Sequence, residues 1–135
     1  MYRDERDLAE TDFLVSTLPS TPDTRGLMSR ERLARLPQGA GVVNVGRADV
    51  FDDVALREGL ADGHLGGAVL DVFPIEPLPA AHPLWETPRL IMTPHCSLDD
   101  HDNYMRRCVD IFLDNLGRYR RGDVLNNRVD LGLGY

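Results

Sequence analysis

At 135 residues the chain is one domain's worth of sequence, and its 42% hydrophobic content suffices for one core. Fifteen basic against 22 acidic residues leave a net charge of −7, which argues against nucleic acid as the main partner. No apolar run approaches the ~18 residues of a membrane span, the opening lacks the pattern of a signal peptide, and two cysteines, Cys96 and Cys108, predict reduced thiols in a cytoplasm rather than a disulfide framework.

Short apolar runs alternate with helical patterns along the chain. Residues 12–18 read as a strand stopped by Pro19, with a loop over residues 20–24. Ser29 is the expected cap of a short helix over residues 30–36, which Pro37 and Gly39 end. A second strand follows over residues 41–45, then the loop Gly46-Arg47-Ala48-Asp49. Asp52 or Asp53 caps the next helix, which runs to about Ala61 with Gly63 as its C-cap. Residues 67–72 form the third strand, ahead of a loop holding Pro74, Pro77, Pro79 and Pro83. Residues 89–92 make a short fourth strand ending at Thr93-Pro94-His95. A long helix is predicted from Asp99 to about Arg121, and residues 122–135 read as an extended tail.

Near-continuous apolar strands predict a sheet buried on both faces, and strands alternating with helices predict parallel βαβ units. The fold class is therefore α/β, a Rossmann-like parallel sheet of about four strands with flanking helices and a long C-terminal helix. In such a sheet the residues just after each strand gather on one rim, where ligands bind. That rim would carry Pro19 and its loop, then Arg47, then Asp71 and Glu76, then His95. With neighbouring strands about 4.8 Å apart, Arg47 and His95 would start roughly 10 Å apart if the second, third and fourth strands are adjacent.

A guanidinium grips a carboxylate with two prongs. A histidine, with an unperturbed pKa of about 6.5, exchanges a proton near neutrality. A carboxylate partner fixes the imidazole tautomer and favours its protonated form. This trio suits the reduction of a 2-oxo acid: Arg47 holds the acid group while His95 protonates the carbonyl oxygen. The hydride must come from a cofactor.

The same residues lie in segments that resemble the D-isomer-specific 2-hydroxyacid dehydrogenases, particularly the glyoxylate/hydroxypyruvate reductase A type. The segments are residues 18–26 (LPSTPDTRG), 43–47 (VNVGR), 66–78 (GGAVLDVFPIEPL) and 93–95 (TPH), with His82-Pro83-Leu84-Trp85 and the ending at residues 129–135 also in keeping. The resemblance implies that Arg47 binds substrate, that His95 is the acid/base and that Glu76 is its partner. It implies that Asp71 lies near the nicotinamide carboxamide, that Leu18, Pro19, Val45 and Gly46 line the nicotinamide–ribose half of the site, and that Arg47, His95 and Ser97 also touch the cofactor. NAD or NADP is implied, with NADP favoured, together with a small 2-oxo or 2-hydroxy acid substrate and a homodimer in the full-length enzyme.

Two departures stand out. Ala48 replaces the glycine that usually follows the arginine, and the cofactor fingerprint G-x-G-x-x-G appears nowhere in the chain. The resemblance is thus to the C-terminal part of a full-length enzyme. Residues 1–121 are read as the latter half of a coenzyme domain plus its long helix, and residues 122–135 as a tail returning toward the substrate domain. The isolated fragment is expected to be inactive, and the alternative reading is a non-catalytic remnant or interaction module. Cys96, His101 and Cys108 match no zinc spacing, so no metal is predicted. Trp85 is expected to pack, and His64 and His82 to lie on the surface.

Overall fold

The computed structural model describes residues 5–97, 100 and 102–134. They divide into two compact units, Met1–Ser97 and Leu98–Tyr135. The first unit holds a parallel sheet of β1 (Phe13–Ser16), β2 (Ala40–Asn44), β3 (Leu65–Leu70) and β4 (Leu90–Met92), hydrogen-bonded in that order. The helices α1 (Arg30–Leu33) and α2 (Asp53–Asp62) join successive strands. The expected α/β class and parallel sheet are what the chain forms.

Side chains alternate across the sheet. Leu14, Val42, Ala68 and Leu70 point into a core completed by Leu33, Leu36, Leu56, Leu60 and Leu84 from the connections. On the other face Phe13 is 75% exposed, Val15 59% and Ile91 63%, and among the described residues of this unit no layer lies over them. The expectation of a sheet buried on both faces is corrected here. An unbroken apolar run shows that a strand could be covered twice, whereas the cover itself must come from other chain.

The local signals hold at α2 and fail at α1. Asp52 caps α2 by accepting the Ala55 N–H at 2.9 Å, and Gly63 ends the helix at φ 82°. Asp52→Ala should therefore cost about 0.5–2 kcal/mol, read as a lower urea midpoint. Ser29 is not a side-chain cap: its hydroxyl donates to Glu31 at 2.7 Å, and α1 stops at Leu33 in a turn. Turned to donate to that carboxylate, the hydroxyl accepts no hydrogen bond from the helix N–H groups. Among the described residues three short 3₁₀ segments, Glu5–Glu10, Ala48–Val50 and Pro83–Glu86, add turns outside the predicted helices. Trp85 is 54% exposed, with its indole N–H on the Pro79 carbonyl at 2.9 Å, so it packs only in part.

In the second unit α3 spans Tyr104–Arg121. The predicted start at Asp99 lies outside the described residues. The basic side chains Arg118, Arg120 and Arg121 occupy the last turn, where they suit the helix dipole, and Gly122 closes it at φ 75°. The following segment is not extended. It turns back so that the Asn126 N–H reaches Asn115 Oδ1 at 2.8 Å while Asn115 Nδ2 donates to the Asn126 carbonyl at 3.1 Å. An asparagine side chain offers both a donor and an acceptor, which lets one residue satisfy the returning backbone.

Candidate active site

The carboxyl ends of the four strands bring the sequence-predicted residues to one rim. After β1, Leu18 and Pro19 are held by a threonine clamp: Thr24 Oγ1 donates to the Pro19 carbonyl at 2.6 Å, and Thr21 N–H donates to Thr24 Oγ1 at 2.8 Å. After β2, Val45 N–H continues the ladder to the Ser16 carbonyl at 3.0 Å. The buried Asn44 side chain then folds the next turn, accepting from Gly46 N–H at 3.1 Å and donating to the Arg47 carbonyl at 3.0 Å. Asp49 ties the two loops together, accepting from Ser20 at 2.5 Å and from Arg25 at 3.2 Å. Those two donors, Ser20 first, hold its carboxyl below the ordinary range.

Gly46 is required by close approach. A Cβ there would sit 2.5 Å from the Leu18 carbonyl oxygen and 2.6 Å from its nitrogen. Ala48, by contrast, enters the 3₁₀ segment and is not among the residues with positive φ, so the alanine is unstrained. Arg47 is exposed and donates through Nη1 to the Gly46 carbonyl at 2.7 Å. The guanidinium makes no other hydrogen bond among the described residues, which leaves most of its planar fork available for an anion.

Glu76 and His95 meet across the rim, with Nδ1 2.8 Å from Oε2. The other Glu76 oxygen accepts the Phe73 N–H at 2.9 Å. The hydrogen bond from His95, then the Phe73 N–H, hold the Glu76 carboxyl below its ordinary range, and the Arg47 charge adds to the effect. All three predicted residues therefore share one electrostatic neighbourhood. An ionised carboxylate can only accept, so Nδ1 carries the proton of this pair. The lowered pKa also fixes a pH window. Stabilisation from the ionised Glu76 is present above the ordinary carboxyl value of 4.5 and is lost as pH falls through the lower folded value. A ¹³C titration of the Glu76 carboxyl should give a midpoint below 4.5, and a midpoint at or above that value contradicts the pairing.

His95 itself sits at φ 54°, in the left-handed region. Asp71 lies beneath it, 1% exposed. Its carboxylate accepts the Thr93 hydroxyl at 2.5 Å and the Cys96 and Ser97 N–H groups at 2.8 Å each. Burial alone would raise this carboxyl, but those donors overcome it and hold Asp71 far below the usual carboxylate range. A cavity of about 80 Å³ under the rim, between Asn44, Ala48, Leu70 and Leu84, is much smaller than the ~300 Å³ that small-molecule sites usually need. Sequence reasoning missed Asn44, Asp49 and the Thr21–Thr24 clamp. Asn44 alone left a signal, a polar side chain at the end of a buried apolar strand.

Residues 3–97 match the family model described as D-isomer specific 2-hydroxyacid dehydrogenase, NAD binding domain. The chain belongs to this family. As a 2-hydroxyacid dehydrogenase sequence it is 42% identical over 125 residues to glyoxylate/hydroxypyruvate reductase B of Pectobacterium carotovorum, covering 91% of this chain and 38% of that protein. It is 36% identical over 128 residues to glyoxylate/hydroxypyruvate reductase A of Salmonella paratyphi B, covering 95% and 40%. The fold is similar to the crystal structure of an NADPH-dependent glyoxylate/hydroxypyruvate reductase from Sinorhizobium meliloti in complex with NADP and sulfate. That likeness has a TM-score of 0.88 at 34% identity and covers 97% of this chain and 42% of that one. The dehydrogenase chain thus spans about 40% of the length of the curated relatives it matches. Among the described residues no helix is long and apolar enough to cross a membrane.

Proposed function

We propose that this chain supplies the acid/base and substrate-clamping wall of an NAD(P)-dependent 2-oxo acid reductase. The carrying observation is the 2.8 Å Glu76–His95 pair beside Arg47 on the rim of a family sheet. Arg47 binds the substrate carboxylate, His95 Nε2 delivers a proton to the carbonyl oxygen, and Glu76 holds the imidazole and stabilises its charged form. The residues present suit the nicotinamide half of a coenzyme, because Leu18, Pro19 and Val45 offer half-buried apolar side chains after the first two strands and Gly46 adds no side chain. A bound reduced nicotinamide would supply the hydride. NADP is favoured over NAD, and glyoxylate or hydroxypyruvate as substrate, by the relatives' descriptions. The reading retains Asp71 and Ser97 at the cofactor side, residues 1–121 as the latter part of a coenzyme domain, residues 122–135 leading toward a substrate domain, and a cytoplasmic homodimer.

Joining this chain to the preceding segment of the Sinorhizobium relative tests the proposal. The expected result is NADPH oxidation that depends on glyoxylate or hydroxypyruvate. A folded chimera that binds NADPH and turns over neither acid would sink it.

A further inference from the structure

The turn between β4 and the end of the first unit holds a conformation that its own sequence does not favour. His95 stands at φ 54°, and its N–H reaches back over Pro94 to the Thr93 carbonyl at 2.9 Å. Histidine visits this left-handed region only occasionally, so the surroundings must hold it there. What holds it is one buried carboxylate. Asp71 Oδ1 accepts the Thr93 hydroxyl and the Cys96 N–H, while Oδ2 accepts the Ser97 N–H. The three donors bracket His95 on both sides, and Asp71 is only 1% exposed. Two successive N–H groups converging on an anion form a backbone nest, here filled by the protein itself.

We infer that Asp71 is the positioning residue of this site, its carboxylate locking the turn of residues 93–97 so that the His95 ring meets Glu76 through Nδ1 and presents Nε2. The inference rests on the reading of His95 as the acid/base, and it gives Asp71 a task beyond contact with the nicotinamide. An asparagine would not replace it. The amide has one acceptor oxygen, and in either orientation its NH₂ would face the Cys96 or the Ser97 N–H, where an acceptor is needed. Released from the nest, His95 would relax toward an extended backbone and its ring would leave Glu76. A free neutral imidazole places its proton mainly on Nε2, so the ring tautomer reports the pairing directly.

Long-range ¹H–¹⁵N spectra of the 135-residue chain, taken at alkaline pH where imidazole is neutral, test this, with His95 assigned through His95→Asn. The parent is expected to show the Nδ1–H form. Asp71→Asn should move Nδ1 downfield toward the unprotonated type, matching Glu76→Gln, while the amide signals of Val42 and Leu70 persist. Persistent amides with an unchanged tautomer in Asp71→Asn overturn the positioning role alone. A parent already in the Nε2–H form overturns the His95–Glu76 pair, and the functional reading with it. If Asp71→Asn loses the core amides, Thr93→Val decides, since it removes a single donor and keeps the charge. A mixed tautomer is then expected, and a folded Thr93→Val with the full parent signal overturns the inference.

Discussion

Replacing His95 by asparagine in a turnover-competent form of the enzyme should lower kcat by about 10²–10⁴-fold, the usual contribution of a positioned general acid. The substrate KM should change little, because the imidazole acts on the oxygen in the transition state more than on the bound acid. Arg47→Ala should behave differently. Truncating one side of a charge-assisted pair costs about 2–5 kcal/mol, or roughly 30- to 5,000-fold in kcat/KM, with a large share in KM. Initial rates against 2-oxo acid concentration at saturating NADPH separate the two effects. A His95→Asn variant with near-normal kcat, or an Arg47→Ala variant with unchanged KM, would remove the assigned roles.

The second large effect concerns the backbone alone. Gly46→Ala places a methyl group 2.5 Å and 2.6 Å from backbone atoms of Leu18, where no rotamer change can relieve it. The two loops must separate, at a cost of at least about 1–3 kcal/mol. The urea midpoint should fall by the corresponding amount, and the walls formed by Leu18 and Val45 should move apart. Ala48→Gly, two residues on, serves as the contrast: it lies in a helical turn and relieves no contact, so the loss should be well under that of Gly46→Ala. Equal stability of Gly46→Ala and the parent would show that the close approach is not needed.

Much of this was legible because it depends on local pattern. Alternating strands and helices, the Asp52 cap and the Gly63 terminus all involve residues within one or two turns of each other. The rim positions of Arg47, Glu76 and His95 follow from strand polarity, which the sequence pattern alone conveys. Four things were out of reach. Asp71 was read beside the cofactor, yet its hydrogen-bond partners lie 22 to 26 residues away in sequence, and no local pattern links a buried carboxylate to distant N–H groups. The Ser20–Asp49 link is likewise 29 residues long. Ser29 is no cap because its hydroxyl turns to the neighbouring Glu31 carboxylate, a case in which two local rules conflict. Coverage of the sheet cannot be read from strand composition, since Phe13 and Val15 look as apolar as Leu14.

The strand order carries a consequence for that uncovered face. Each strand pairs with the one before it, so the sheet grows in a single direction. Crossovers between parallel strands share one hand, and a sheet that never reverses direction must therefore send every connection over the same side. Leu33, Leu56 and Leu84, one from each connection, duly meet in a single core. The segment from Phe13 to Met92 thus has no way to cover its other side, whatever residues it contains. A second layer has to be built by chain on the near side of β1, by chain beyond β4, or by another molecule.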